Sequence, residues 1–112
     1  MRPPNGADDP PVVDVHAHLV PADLAGVATH AGVRVIQGGR LEVDGHELGP
    51  DRLYRPELLV QWLDANGIDT ALVSAPPPLY RQQLGTADAR RWTTFLNDGL
   101  AACAAAFPGH LG

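Results

Sequence analysis

Val12-Val13-Asp14-Val15-His16-Ala17-His18 puts two imidazoles at i and i+2, directly after a β-branched run that reads as a buried strand. Alternate side chains of a strand share a face, so His16 and His18 are expected to emerge together, about 6–7 Å apart along the strand axis. Neutral imidazole nitrogens at that separation can converge on one divalent cation, which makes both residues candidate metal ligands. Asp14 has the same parity one pleat further in. A carboxylate there is expected to hold an imidazole N–H and fix its tautomer. Leu19-Val20-Pro21 then ends the strand.

Working outward, the rest of the composition narrows the classes of function. A chain of 112 residues fits one small domain and buries about two thirds of its unfolded surface when compact. The formal charge is −5, with no Lys and eight scattered Arg, so no basic stripe is available for a phosphate backbone and nucleic acid is not an expected partner. Cys103 is the single cysteine, which excludes a disulfide framework and a Cys-based zinc knuckle. Its alanine-rich setting reads as core. Residues 1–11, Met1 to Pro11, are polar and Pro-rich and read as a disordered leader without a signal-peptide core. No run reaches transmembrane length without charge, so a soluble cytoplasmic protein with no membrane partner is expected.

The order of elements follows from periodicity and punctuation. Pro21 to Gly32 has the apolar content of a short helix, weakened by Gly26 and Gly32. Val33-Arg34-Val35-Ile36-Gln37 and Arg40-Leu41-Glu42-Val43 flank Gly38-Gly39, a spacing that predicts a hairpin with a two-residue turn, and Asp44-Gly45 can turn the chain again. Pro56 starts a helix in which Leu58, Leu59, Trp62 and Leu63 form an apolar stripe, with Gln61 and Asp64 on the wet side. Asn66-Gly67 ends it. Ile68 to Ser74 suits a strand buried on both faces, and strand–helix–strand order predicts a parallel pair whose C-terminal ends lie on one side. Thr86 is the expected N-cap of a last helix that carries Trp92, Phe95, Leu96, Leu100, Cys103 and Phe107 at helical spacing. Pro108-Gly109 stops it and leaves His110-Leu111-Gly112 as a stub, where a chain of this type would start its third strand.

At this point Asp14-Val15-His16-Ala17-His18-Leu19-Val20-Pro21 resembles the first-strand signature of the amidohydrolase superfamily. Arg55 to Asp69 running into Ala71-Leu72-Val73-Ser74, and Asn97-Asp98 followed by Phe107-Pro108, are similar to its amidohydrolase-related (amidohydrolase 2) branch, which includes aminocarboxymuconate-semialdehyde decarboxylase. The resemblance spans residues 12–112. It implies the α/β class: the N-terminal portion of a metal-dependent (β/α)8 TIM barrel with a small β-hairpin insertion between strand 1 and helix 1. The barrel is incomplete, because a full one takes about 250 residues.

The resemblance further implies that His16 and His18 are the first two ligands of Zn²⁺ or another divalent metal, incompletely ligated by this chain. Relatives supply another His and an Asp from later strands. His30, His46 and His110 do not match those positions and read as loop or surface residues. An arginine that grips a substrate carboxylate belongs near the β insertion in the decarboxylase relatives. Leu48-Gly49-Pro50-Asp51-Arg52-Leu53 departs from their pattern and leaves Arg52 as a weak substrate-binding candidate. No catalytic acid or base is assignable: Asp69 precedes the second strand on the side away from the site, and Ser74 reads as loop-shaping.

The expected function is therefore an N-terminal fragment of a hydrolase or non-oxidative decarboxylase acting on a small carboxylic acid, inactive alone. Its partner is a small-molecule substrate once the barrel is completed. The alternatives are a subunit of a split or assembling barrel, partnered by a second copy or a complementing chain, and a non-catalytic remnant that binds.

Overall fold

The computed structural model describes residues 10–21, 32–81 and 83–112. In chain order the elements are β1 (Val13–His18), β2 (Val33–Val35), β3 (Leu41–Val43), β4 (His46–Glu47), α1 (Pro56–Asn66), β5 (Thr70–Ser74) and α2 (Thr86–Ala106), with a 3-10 turn at Asp51–Tyr54. This is a mixed α/β fold of two helices and two small sheets, and the described residues form no closed barrel. The expected leader falls almost wholly on residues 1–9, and the expected helix from Pro21 to Gly32 on residues 22–31; both lie outside the described residues.

β1 and β5 pair in parallel, as strand–helix–strand order predicts, with Val13 beside Thr70 and His18 beside Ser74. The C-terminal residues are not a stub. Leu111 bridges Ala71 in parallel, the Ala71 N–H donates to the His110 carbonyl at 2.8 Å, and the Val73 N–H donates to the Gly112 carbonyl at 2.9 Å. Sheet order therefore runs β1, β5, then residues 110–112, always stepping the same way.

Only one face of this sheet is covered among the described residues. Ala17 and Ala71 pack with Leu63 of α1 and Cys103 of α2 in a single apolar cluster, so both helices cover the same face. On the other face Leu72 is 46% exposed, Val13 43% and Val15 74%. The expectation of a strand buried on both faces is corrected accordingly: Ala71 is buried but Leu72 is not, because both helices lie on the Ala71 side.

The antiparallel sheet β2–β3–β4 corrects a second expectation. Val33 pairs with Val43, Arg34 with Glu42 and Val35 with Leu41, which leaves Gln37-Gly38-Gly39 as the connection instead of a two-residue turn. A two-residue turn would shift the register by one and set Arg34 opposite Val43. The observed register keeps apolar residues opposite apolar ones and brings Arg34 Nε to 2.7 Å from Glu42 Oε1. The second turn is at Asp44-Gly45 as expected, both residues at positive φ, 50° and 84°.

Helix α1 starts at Pro56 and closes at Gly67, which takes the left-handed conformation at φ 69° while the Ile68 N–H returns to the Leu63 carbonyl at 2.9 Å. Its stripe is narrower than predicted. Leu63 is fully buried, Leu58 and Leu59 are half-buried, and Trp62 is 50% exposed. Helix α2 begins one position earlier than its expected cap: Gly85 is the N-cap, its carbonyl accepts from the Ala89 N–H at 2.8 Å, and Thr86 is already helical. α2 is the spine of the molecule. Trp92 and Leu96 pack under the antiparallel sheet with Leu41, Val43 and Leu79, Cys103 packs under the parallel one, and Leu100 touches both clusters. No described helix is long and apolar enough to cross a membrane.

Candidate functional site

The site forms where β1 stops. Leu19 N–H donates to the Ser74 carbonyl at 3.0 Å and Val20 N–H to the Leu53 carbonyl at 2.7 Å, so the chain leaving β1 is stitched to the end of β5 and to the 3-10 turn. These bonds bring His16, His18, Ser74 and Arg52 to one end of the parallel sheet. A cleft of about 570 Å³ opens there, and its lining includes Asp14, His16, His18, Arg52, Leu58, Leu59 and Trp62.

The two imidazoles meet. Nε2 of His16 and Nε2 of His18 are 3.1 Å apart, with ring centroids 4.8 Å apart and the rings nearly perpendicular. Two nitrogens bound to tetrahedral zinc, each at 2.0–2.1 Å, lie about 3.3 Å apart, so the pair fits a shared metal with little movement. The opposite nitrogen of His18, Nδ1, is 3.1 Å from Ser74 Oγ. Two arrangements satisfy these contacts: His18 donates from Nδ1 to Ser74 Oγ while His16 Nε2–H donates to His18 Nε2, or the Ser74 hydroxyl donates to Nδ1 while His18 Nε2–H donates to His16 Nε2. A metal at His18 Nε2 requires the first of these, and binding at both rings displaces the proton held between the two Nε2 atoms.

Asp14 does something other than expected. Its Oδ1 accepts the backbone N–H of His16 at 2.9 Å, not an imidazole N–H. The reason is an irregularity in β1. Asp14 aligns with Ala71 and Ala17 with Val73, so three steps along β1 match two along β5, a bulge of one residue at Val15-His16. Strict alternation would have kept Asp14, His16 and His18 on one face. With the extra residue, Asp14 falls in line with Ala71 on the helix-covered face, while His18 aligns with Ser74 on the other.

Arg52 lines the same cleft as the histidines and is exposed, on the turn held by Val20 and Leu53. It is the one arginine among the described residues that line the cleft. The remaining histidines lie elsewhere. His46 is exposed on β4, His110 Nε2 sits 3.6 Å from Asp64 Oδ1 beside α1, and His30 is outside the described residues. Asp69 accepts the Val12 N–H at 2.7 Å at the far end of the strands. Cys103 is buried in the core. The described residues contain no group of three His, Cys, Asp or Glu able to hold a metal, so this end of the sheet offers two donors and no more.

Sequence inspection missed Ser74 as a partner of His18. Its signal was present: a parallel pair aligned by its C-terminal ends places the last residue of one strand beside the last of the other. Trp62 was also misplaced. Its helical spacing fitted the core stripe, but the indole lies on the cleft side of Leu63. No protein-family model matches this chain, and comparison with curated proteins gives no match.

Proposed function

We propose that this chain supplies the strand-one part of a metal-dependent site of the amidohydrolase type, in a hydrolase or non-oxidative decarboxylase of a small carboxylic acid. The observation that carries it is the 3.1 Å approach of the His16 and His18 Nε2 atoms with Ser74 behind His18. Support for the barrel-type frame comes from the sheet, which steps in one direction and carries both helices on one face. A doubly wound sheet reverses direction and covers both faces. The site lies at the C-terminal ends of the strands, where barrels of this type work.

The roles follow from chemistry. His16 and His18 would hold Zn²⁺ or another divalent ion, which when bound supplies a water of lowered pKa for attack or an electrophile for a carboxylate. Ser74 would accept the His18 Nδ1 proton in the tautomer that a metal at Nε2 requires. Arg52 offers a fork of N–H donors to a substrate carboxylate across the cleft. Leu58, Leu59 and Trp62 give an apolar wall that excludes water from one side of the bound acid.

Zinc takes three or four protein ligands, so the two imidazoles are half a shell and the chain alone binds weakly. A second reading, a subunit of a split or assembling barrel, is favoured by the open apolar face of Val13, Val15 and Leu72, which further strands would cover. Calorimetric titration with Zn²⁺, on the wild-type chain and on His16→Ala and His18→Ala, tests the site. The wild type should bind one weak equivalent, and each variant should lose it. Equal binding by the variants would rule the site out, and strong turnover of carboxylic acids by the 112-residue monomer would rule out the half-shell.

A further inference from the structure

Asp14 spends its carboxylate on the backbone of His16. That N–H belongs to the bulged segment of β1, where one extra residue sits between the Asp14–Ala71 and Ala17–Val73 alignments. In a regular parallel strand an N–H points to a neighbouring strand or to solvent, and a bulge leaves one such group unpaired. Asp14 satisfies it from two residues away, an Asx-type local turn that holds the bulge open. Asp14 and Ala17 fall in line with Ala71 and Val73, while His18 aligns with Ser74 on the opposite face and the His16 ring meets the His18 ring.

We propose that Asp14 is a positioning residue that aims His16 at His18 through the His16 backbone N–H, as an acceptor and not as a charge. This rests on the metal-binding reading for its purpose, but not for its geometry. Two histidines two residues apart on an ordinary strand have their ring directions set only by rotamer choice. Here the backbone turn sets one of them, so the Nε2 atoms are brought together before a ligand arrives.

The distinguishing feature is that a neutral amide oxygen can accept the same N–H. The full chain, as wild type, Asp14→Asn and Asp14→Ala, is compared by two measurements. The first is metal-independent: nuclear Overhauser contacts between the His16 and His18 ring protons, with the exchange rate of the His16 amide. The second is Zn²⁺ affinity by calorimetry. Asp14→Asn should keep the ring contact, the slow amide and an affinity within about threefold of wild type. Asp14→Ala should lose the ring contact and the amide protection, and bind Zn²⁺ about 10- to 100-fold more weakly, the range for lost support of a ligand.

An Asp14→Asn variant as defective as Asp14→Ala would show that the charge matters and overturn the proposal. An Asp14→Ala variant with the ring contact intact would overturn it too. If Asp14→Ala does not fold, the wild-type amide decides alone: fast exchange at His16 overturns the proposal and slow exchange supports it. A wild type that shows the ring contact yet binds no Zn²⁺ would sink the metal reading and leave the positioning role standing.

Discussion

Ser74 Oγ lies 3.1 Å from His18 Nδ1, so the hydroxyl at the end of one strand partners the far nitrogen of its neighbour's imidazole. Removing the hydroxyl leaves His18 able to carry its proton on either nitrogen and to turn about its last torsion. Ser74→Ala should therefore weaken Zn²⁺ binding about tenfold, while Ser74→Thr, which keeps the oxygen, should restore most of it. Thermal melting should move little, because Ser74 is exposed. Calorimetry on the two variants reads the difference, and unchanged affinity in Ser74→Ala would remove the residue from the site.

Gly99 sits inside α2 with its α-carbon facing Pro21, and a Cβ built there would collide with the Pro21 ring. In an open helix interior, replacing Gly by Ala gains about 1 kcal/mol. Here the sign should invert. Pro21 is fully buried and immediately follows the segment that carries His18, so it cannot move aside cheaply. Gly99→Ala should lower the urea-unfolding free energy by up to about 2 kcal/mol, an overpacking cost of about 1–3 kcal/mol less a helix gain of about 1. A gain in stability would show that the contact is slack.

How much of this was legible beforehand depends on the range of the interaction that decides each element. Pro56, Gly67 and the Asp44-Gly45 turn announce themselves because their conformations are set by their own backbones. The pairing of His16 with His18 was legible for the same reason, since i and i+2 need only a strand. Asp14 was misassigned because a bulge is invisible to alternation: one extra residue changes every parity argument upstream of it. Gly38-Gly39 taken alone predicts a two-residue turn, but the register is decided by Arg34–Glu42 and Leu41–Val35 from both strands together. Leu72 reads as buried in any apolar run, and only the arrangement of helices α1 and α2 reveals that one face is left open.

Trp92 is the largest fully buried side chain, and its indole N–H donates to the Leu79 carbonyl at 2.6 Å. It links α2 to the loop that follows β5. Trp92→Phe keeps an aromatic body but strips that carbonyl of its donor and leaves a gap beside Leu41 and Leu79. The loss should be about 2–3 kcal/mol in chemical unfolding, combining an unsatisfied buried acceptor with a small cavity. A loss under about 0.5 kcal/mol, within the range of ordinary surface changes, would mean that the hydrogen bond contributes nothing net.

Asp44 receives the buried guanidinium of Arg81 at 2.8 Å and joins the β3–β4 turn to the segment after β5. The hydrogen bond from Arg81 holds its carboxyl below the ordinary value of 3.8, with the charges of Arg81 and His46 acting in the same direction and partial desolvation opposing them. Because unfolding returns the group to its ordinary value, the unfolded chain takes up the proton first as pH falls. The contribution of Asp44 is therefore complete above 3.8 and disappears as pH drops through the lower native value. Glu42 behaves alike, held below its ordinary 4.5 by the hydrogen bond from Arg34. Asp44→Asn should destabilise the chain at neutral pH and flatten the fall in melting temperature as pH drops below about 4.5, without abolishing it, since Glu42 still titrates. Parallel melting curves for wild type and Asp44→Asn across that range would show that the Arg81 contact does not depend on the charge of Asp44.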